Sequence, residues 1–164
     1  MFQFTKKTEY AIIALKHIAS QSEGTYSSAR EIADRYHLSF DLVSKIMQKL
    51  KREGYVQSHQ GILGGYSLST DLDQVSLARF IEAMDGPLGM IECARPGGVD
   101  GKGTQTCIQF NHCTIVGPMR RLNGRVKDVL GSTTLGEIFA GVSDPVQEGQ
   151  RPAAGNPGAA AAAD

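Results

Sequence analysis

Residues 28–68, SAREIADRYHLSFDLVSKIMQKLKREGYVQSHQGILGGYSL, constrain the fold of this chain more than any other stretch. Ser28 with Glu31 three residues later is the reciprocal pair that satisfies two orphan amides at a helix start, so a short helix opens here with Ile32 and Ala33 facing inward. Tyr36, His37 and Leu38 read as a turn, and Ser39 stands where a second helix is capped. Along that helix Val43, Ile46, Met47 and Leu50 recur at i, i+3, i+4 and i+7, one apolar stripe for a core. Gly54 supplies the left-handed residue that ends it. Residues 55–58 and 66–68 then have strand composition, and the three glycines within residues 59–65 make the connection a hairpin. Two angled helices followed by a two-stranded wing predict a mainly α fold, a winged helix-turn-helix.

The glycines alone also fit a phosphate cradle, but such loops lie between a strand and a helix, and here strands flank both sides. An αα-hairpin that merely packs would share the apolar stripe without the wing or a basic outer face. That outer face carries Asp41, Ser44, Lys45, Gln48, Lys49 and Arg52, and between Ser39 and Gly54 four Lys or Arg stand against two acidic residues. Phosphates attract such a face, and base edges in a major groove offer it donors and acceptors. The residues expected at double-stranded DNA are therefore Ser28 and Ser39 at the helix starts, Asp41, Ser44, Lys45, Gln48 and Lys49 on the second helix, and His59, Gln60, Gly61, Gly64 and Gly65 in the wing.

Seventeen Lys and Arg balance seventeen Asp and Glu, which excludes a diffuse polyanion binder and requires a local basic surface, doubled by dimerisation. No apolar run reaches membrane-spanning length and MFQFTKKTEY lacks a signal-peptide pattern, so a cytoplasmic, membrane-free protein is expected. No paired acid and base or nucleophile motif is present around which to build an enzyme.

Elsewhere, residues 5–20 read as a helix whose apolar face is Ala11, Ile12, Ala14, Leu15, Ile18 and Ala19, with Glu9 in its first turns, where the macrodipole alone accounts for an acidic residue. Ser76 caps a helix reaching about Met84, with Leu77, Phe80, Ile81 and Met84 inward, and Gly86-Pro87 closes it. Residues 86–117 show neither period and hold all three cysteines. Residues 118–130 resume as a helix through Leu122, Val126, Val129 and Leu130, with too little chain left to bury it, so packing against a second copy is expected. Thr134 with Glu137 starts a short last helix, and the Pro, Gly and Ala beyond Gly141 read as a disordered tail. The expected division is a DNA-binding domain at 1–85, a cysteine loop at 86–117, a dimerisation helix and terminal helix at 118–141, and a tail at 142–164.

Cys93, Cys107 and Cys113 are separated by 13 and then 5 residues. A structural zinc site would use paired knuckles, which are absent. Thiolates in a glycine-rich segment fit an iron-sulfur cluster, or act as free redox thiols. Three thiolates leave a cluster one ligand short, and spacing does not choose among His112 and any carboxylate or histidine brought in by the fold or a partner. A small electron carrier is the remaining class; it needs the cysteines but no basic helix.

The order of parts resembles the bacterial iron-sulfur winged-helix regulators that include IscR and NsrR: TKKTEYAIIAL, the paired helices through EGYV, the wing GILGGYSL, FIEAMDG, three loop cysteines and TTLGEIF, spanning residues 1–140. The resemblance implies a homodimer joined by the helix after the cysteine loop. It implies a 2Fe-2S or 4Fe-4S cluster on Cys93, Cys107 and Cys113 plus one further residue, with cluster state setting DNA affinity. IscR-like members place a histidine where Val116 stands here; NsrR-like members use a carboxylate on the other subunit's first helix, where Glu9 matches, with His112 in reserve. The gap between Cys93 and Cys107 is longer than in the family, an insertion that costs under ~1 kcal/mol of loop-closure entropy per doubling. Gln60, after His59, stands where members reading a narrow minor groove often carry Arg, which implies a different operator or one bound less tightly.

Overall fold

A computed structural model of the chain describes residues 3–22, 24–61, 64–89 and 112–140. Helix α1, Lys6–Ala19, starts where the Thr5 hydroxyl accepts the Thr8 amide, and buries Thr8, Ala11, Ala14, Leu15, His17 and Ile18. Ile12 is half-buried, and Ala19, in the last turn, is exposed. Thr8 and His17 interrupt the apolar face because both find partners there: the Thr8 hydroxyl donates to Asp85, and the two ring nitrogens of His17 lie 3.3 Å from the Tyr36 hydroxyl and the Gln21 amide.

Helices α2, Ala29–Tyr36, and α3, Phe40–Arg52, form the angled pair. Both halves of the Ser28–Glu31 capping box are made, at 3.1 and 3.4 Å. His37 turns the chain in the left-handed region, φ 53°. Ser39 takes the N-cap conformation, yet its side chain makes no capping bond. Val43, Ile46, Met47 and Leu50 are all buried, and Gly54 ends the helix region at φ 81°.

Strands β1, Val56–His59, and β2, Gly65–Leu68, pair antiparallel from Val56 opposite Leu68 to His59 opposite Gly65. A third short rung comes from ahead of α2, where Ser27 and Tyr66 exchange both backbone hydrogen bonds at 3.1 and 2.9 Å. That approach explains Gly65, since a Cβ there would meet the Ser27 backbone at 2.9 Å. The Ser27 hydroxyl is buried with no hydrogen-bond partner among the described residues. Removing an unsatisfied buried hydroxyl relieves a desolvation cost, so Ser27→Ala is expected to leave stability unchanged or raise it by up to about 1 kcal/mol, read from the denaturant midpoint.

A 3-10 turn at Leu72–Gln74 leads to α4, Leu77–Asp85, with Leu77, Phe80, Ile81 and Met84 buried and the Ser76 hydroxyl accepting the Arg79 amide. Helix α5, Val116–Ser132, is longer at both ends than the apolar pattern predicts. Pro118 falls inside its first turn, where the missing N–H would have no helical partner anyway. Helix α5 packs on α4, buries Asn123 and bonds Lys127 to Glu82 at 3.1 Å. Its other side keeps Ile115, Leu122 and Val129 exposed. Helix α6, Leu135–Phe139, opens with a complete Thr134–Glu137 capping box, and its start is tied to α4 through Leu77 N–H to Thr133 O and Leu135 N–H to Val75 O. One core, centred on Leu15, Ile32, Ile46, Met47, Leu50, Phe80, Met84 and Leu135, joins all these elements. The tail from residue 142 and most of the predicted cysteine loop lie outside the described residues.

Candidate nucleic-acid interface

Because α3 turns its apolar stripe fully inward, what remains outside is set by the helical period. Asp41, Lys45, Gln48 and Arg52 fall at i, i+4, i+7 and i+11, all exposed, along the side opposite the core. Three of them can donate hydrogen bonds, and two carry fixed positive charge, which is what phosphates and groove edges accept. Ser44 is partly covered on one flank. On that flank Lys51 reaches the wing, bonding Ser58 Oγ at 2.6 Å.

On the other flank Lys49 leaves the exposed stripe: its Nζ donates to the Met84 carbonyl at 3.0 Å. Burial and then the nearby Lys7 charge hold its ammonium below the usual lysine range. Lys49 therefore bonds into α4 instead of lining the outer face.

At the start of α3 the Arg30 guanidinium lies 4.3 Å over the Phe40 ring. Ser28, half-buried, spends its hydroxyl on the α2 cap, and Ser39 is exposed. In the wing His59 stacks on Tyr26, ring centroids 3.8 Å apart and planes 12° from parallel, with Nε2 2.8 Å from Ser67 Oγ. Gln60 and Gly61 are exposed beyond it. Gly64 is glycine for a steric reason, since an added Cβ would collide with the His59 carbonyl. Beside the residues singled out from the sequence stand Arg52, Arg30 and Tyr26. Arg52 continues the Lys45 face by seven residues, so helical spacing alone points to it; Tyr26 meets His59 only through the fold.

Of the candidate metal ligands, Cys113 is a free, partly exposed thiol three residues ahead of α5, and His112 beside it is exposed. Cys93 and Cys107 lie outside the described residues. Glu9 sits in the first turn of α1, where Lys6 Nζ bonds it at 2.6 Å; that hydrogen bond and the Glu9 charge raise the Lys6 ammonium above its ordinary value. Among the described residues no three His, Cys, Asp or Glu side chains come together to hold a metal, and no helix is long and apolar enough to cross a membrane.

Residues 4–141 match the model of the Rrf2 family, described as iron-dependent transcriptional regulators. The chain belongs to the Rrf2 family. Among its relatives, the HTH-type transcriptional regulator IscR of Vibrio vulnificus strain YJ016 is 29% identical over 138 residues, covering 84% of this chain and 77% of that one. The HTH-type transcriptional regulator NsrR of Shouchella clausii strain KSM-K16 is 23% identical over 142 residues, covering 87% and 91%. Among solved structures, CymR, the global cysteine regulator of B. subtilis, matches with a TM-score of 0.64 at 23% identity, covering 85% of this chain and 97% of that one. The IscR of T. potens matches at 0.60 and 19%, covering 84% and 86%. At those identities the structural likeness carries the fold, and it is the winged-helix fold of the Rrf2 regulators. Like those relatives, the chain is a transcriptional regulator and not an enzyme.

Proposed function

We propose that this Rrf2 regulator is a cytoplasmic homodimer that binds a double-stranded DNA operator, as a repressor, under the control of an iron-sulfur cluster of 2Fe-2S or 4Fe-4S type. The observation that carries the reading is the exposed row Asp41, Lys45, Gln48 and Arg52 on the second helix of the pair, beside a two-stranded wing. Lys45, Gln48 and Arg52 would contact phosphates and base edges, with Asp41, Ser44 and Ser39 at the helix start and Gln60 and Gly61 at the wing tip. His59, Gly64 and Gly65 would shape the wing, and Ser28 would hold the start of α2.

Support for the dimer is the heptad row Ile115, Met119, Leu122, Val126 and Val129 along α5, in which Ile115 is 60% and Val129 63% exposed. For the cluster, the donor chemistry fits: three soft thiols, Cys93, Cys107 and Cys113, suit iron, and Glu9 of the partner subunit would complete the set, with His112 in reserve. A carboxylate is a harder and more exchangeable donor to iron than a thiolate, so Glu9 would leave that corner open. Bound there, the cluster supplies an iron site that responds to oxygen, nitric oxide or a change of redox state. Tying the cysteine segment of one subunit to α1 of the other, these ligands would set the spacing of the two α3 helices on a two-fold operator. The 86–117 and 118–141 segments would then be the sensing and dimerising parts, and 1–85 the reading domain.

Protein isolated without oxygen is expected to be coloured, with iron and sulfide near one cluster per subunit. In Glu9→Ala the visible spectrum should change while the protein stays dimeric; an unchanged spectrum with unchanged operator binding removes Glu9 from the ligand set. Colourless protein with intact operator binding points instead to sensing by the thiols alone.

A further inference from the structure

The last turn of α4 collects side chains from three other helices, and neither the DNA interface nor the cluster ligands account for these joins. From α1, the Thr5 and Thr8 hydroxyls donate to the two Asp85 oxygens at 2.6 and 2.7 Å, with Lys7 Nζ 3.5 Å away. From α3, Lys49 Nζ donates to the Met84 carbonyl at 3.0 Å. From α5, Lys127 Nζ donates to Glu82 Oε1, which also accepts the Leu88 amide at 3.2 Å. Burial works against the Asp85 charge, but the two hydroxyls and Lys7 outweigh it and hold the carboxyl below its usual range. Gly86, at φ 91°, leaves the helix immediately after, toward Cys93 in the sequence, and Glu9 is the residue after Thr8.

We infer that this turn is a relay, in which Asp85 and Lys49 are positioning residues that pass the state of the cysteine segment and α1 to the reading helix α3. The inference rests on the sensing role proposed above. Carbonyls in a last helical turn have no helical partner, and a cation there also complements the macrodipole. Lys49 keeps its partner only while that turn is wound. Ligands that pull on Glu9 or on the chain beyond Leu88 act on the two ends of the Asp85 contact, and unwinding the turn frees the α3 lysine. The two states thus differ in bonds made by α3, as a shift between them requires.

Operator binding is measured against salt for the wild-type dimer, Lys45→Met, Lys49→Met and Asp85→Asn, each as isolated without oxygen and again after iron chelation. Lys45→Met is expected to flatten the dependence of log affinity on log salt by about 0.9 for each phosphate it leaves unpaired. Lys49→Met and Asp85→Asn are expected to keep the wild-type slope and to shrink the affinity ratio between the two preparations by about fivefold, which general loss of stability would not do. If one of the two fails to fold, the other decides. A slope for Lys49→Met as flat as that of Lys45→Met, or an unchanged affinity ratio, overturns the relay. Wild-type protein without iron sinks the cluster reading instead; the ratio is then taken between reduced and diamide-oxidised protein, and the same two outcomes apply.

Discussion

Phe80→Ala is expected to lower the unfolding free energy by about 3–5 kcal/mol, the usual cost of truncating a buried aromatic. Phe80 is 0% exposed at the centre of the one core that joins α1, α3, α4 and α6. Its ring meets Tyr55 edge to face, centroids 5.2 Å apart at 68°, an arrangement that adds about 0.5–1.5 kcal/mol to area burial alone. Tyr55 is itself buried at the start of the wing, and burial raises its phenol above the ordinary value. The cavity therefore opens against Tyr55, at the start of the wing. Against a total of about 5–15 kcal/mol for a domain, that loss brings the variant close to unfolding at physiological temperature. Urea titration checks it: a loss under about 1 kcal/mol would mean that α4 does not pack as described.

The second large effect is on the nucleic acid. Lys45→Ala combined with Arg52→Ala removes two exposed cations from each α3 and four from a dimer, while the core stays intact. If all four meet phosphates, the slope of log affinity on log salt should flatten by about 3–4, and affinity at low salt should fall about a hundredfold or more. A uniform fall across DNA sequences marks phosphate contacts, whereas a fall confined to one base position marks readout by Arg52 or Lys45 of that base. The thermal midpoint should hardly move, because both side chains are solvated. An unchanged slope would place the DNA on another face of the molecule.

How far the sequence reveals this arrangement depends on the range of the chemistry involved. Both capping boxes and the α3 stripe are legible because a cap is completed within three residues and a stripe within two turns. Lys49 is not, since periodicity puts it on the outer flank and only packing brings the Met84 carbonyl, 35 residues on, within its reach. The wing glycines read as a hairpin connection, yet Gly65 answers to Ser27, in a rung that no local pattern announces. Thr8 and His17 stand among apolar residues of α1 and look like interruptions; their partners Asp85 and Tyr36 come from other helices. Helix α5 is expected to lack a surface of its own, but one side of it lies on α4, and Ile115, Leu122 and Val129 are what stays open. The ligand set is least legible of all, because its proposed fourth member belongs to a second chain.

The most direct test is the operator affinity of the dimer isolated without oxygen, taken before and after its iron is removed and again with Cys93, Cys107 and Cys113 all replaced by serine. The predicted result is a coloured starting protein whose affinity differs by about tenfold or more from the iron-free form, with the serine variant matching the iron-free form. Three equal affinities, from starting material that holds no iron, would contradict cluster control of DNA binding.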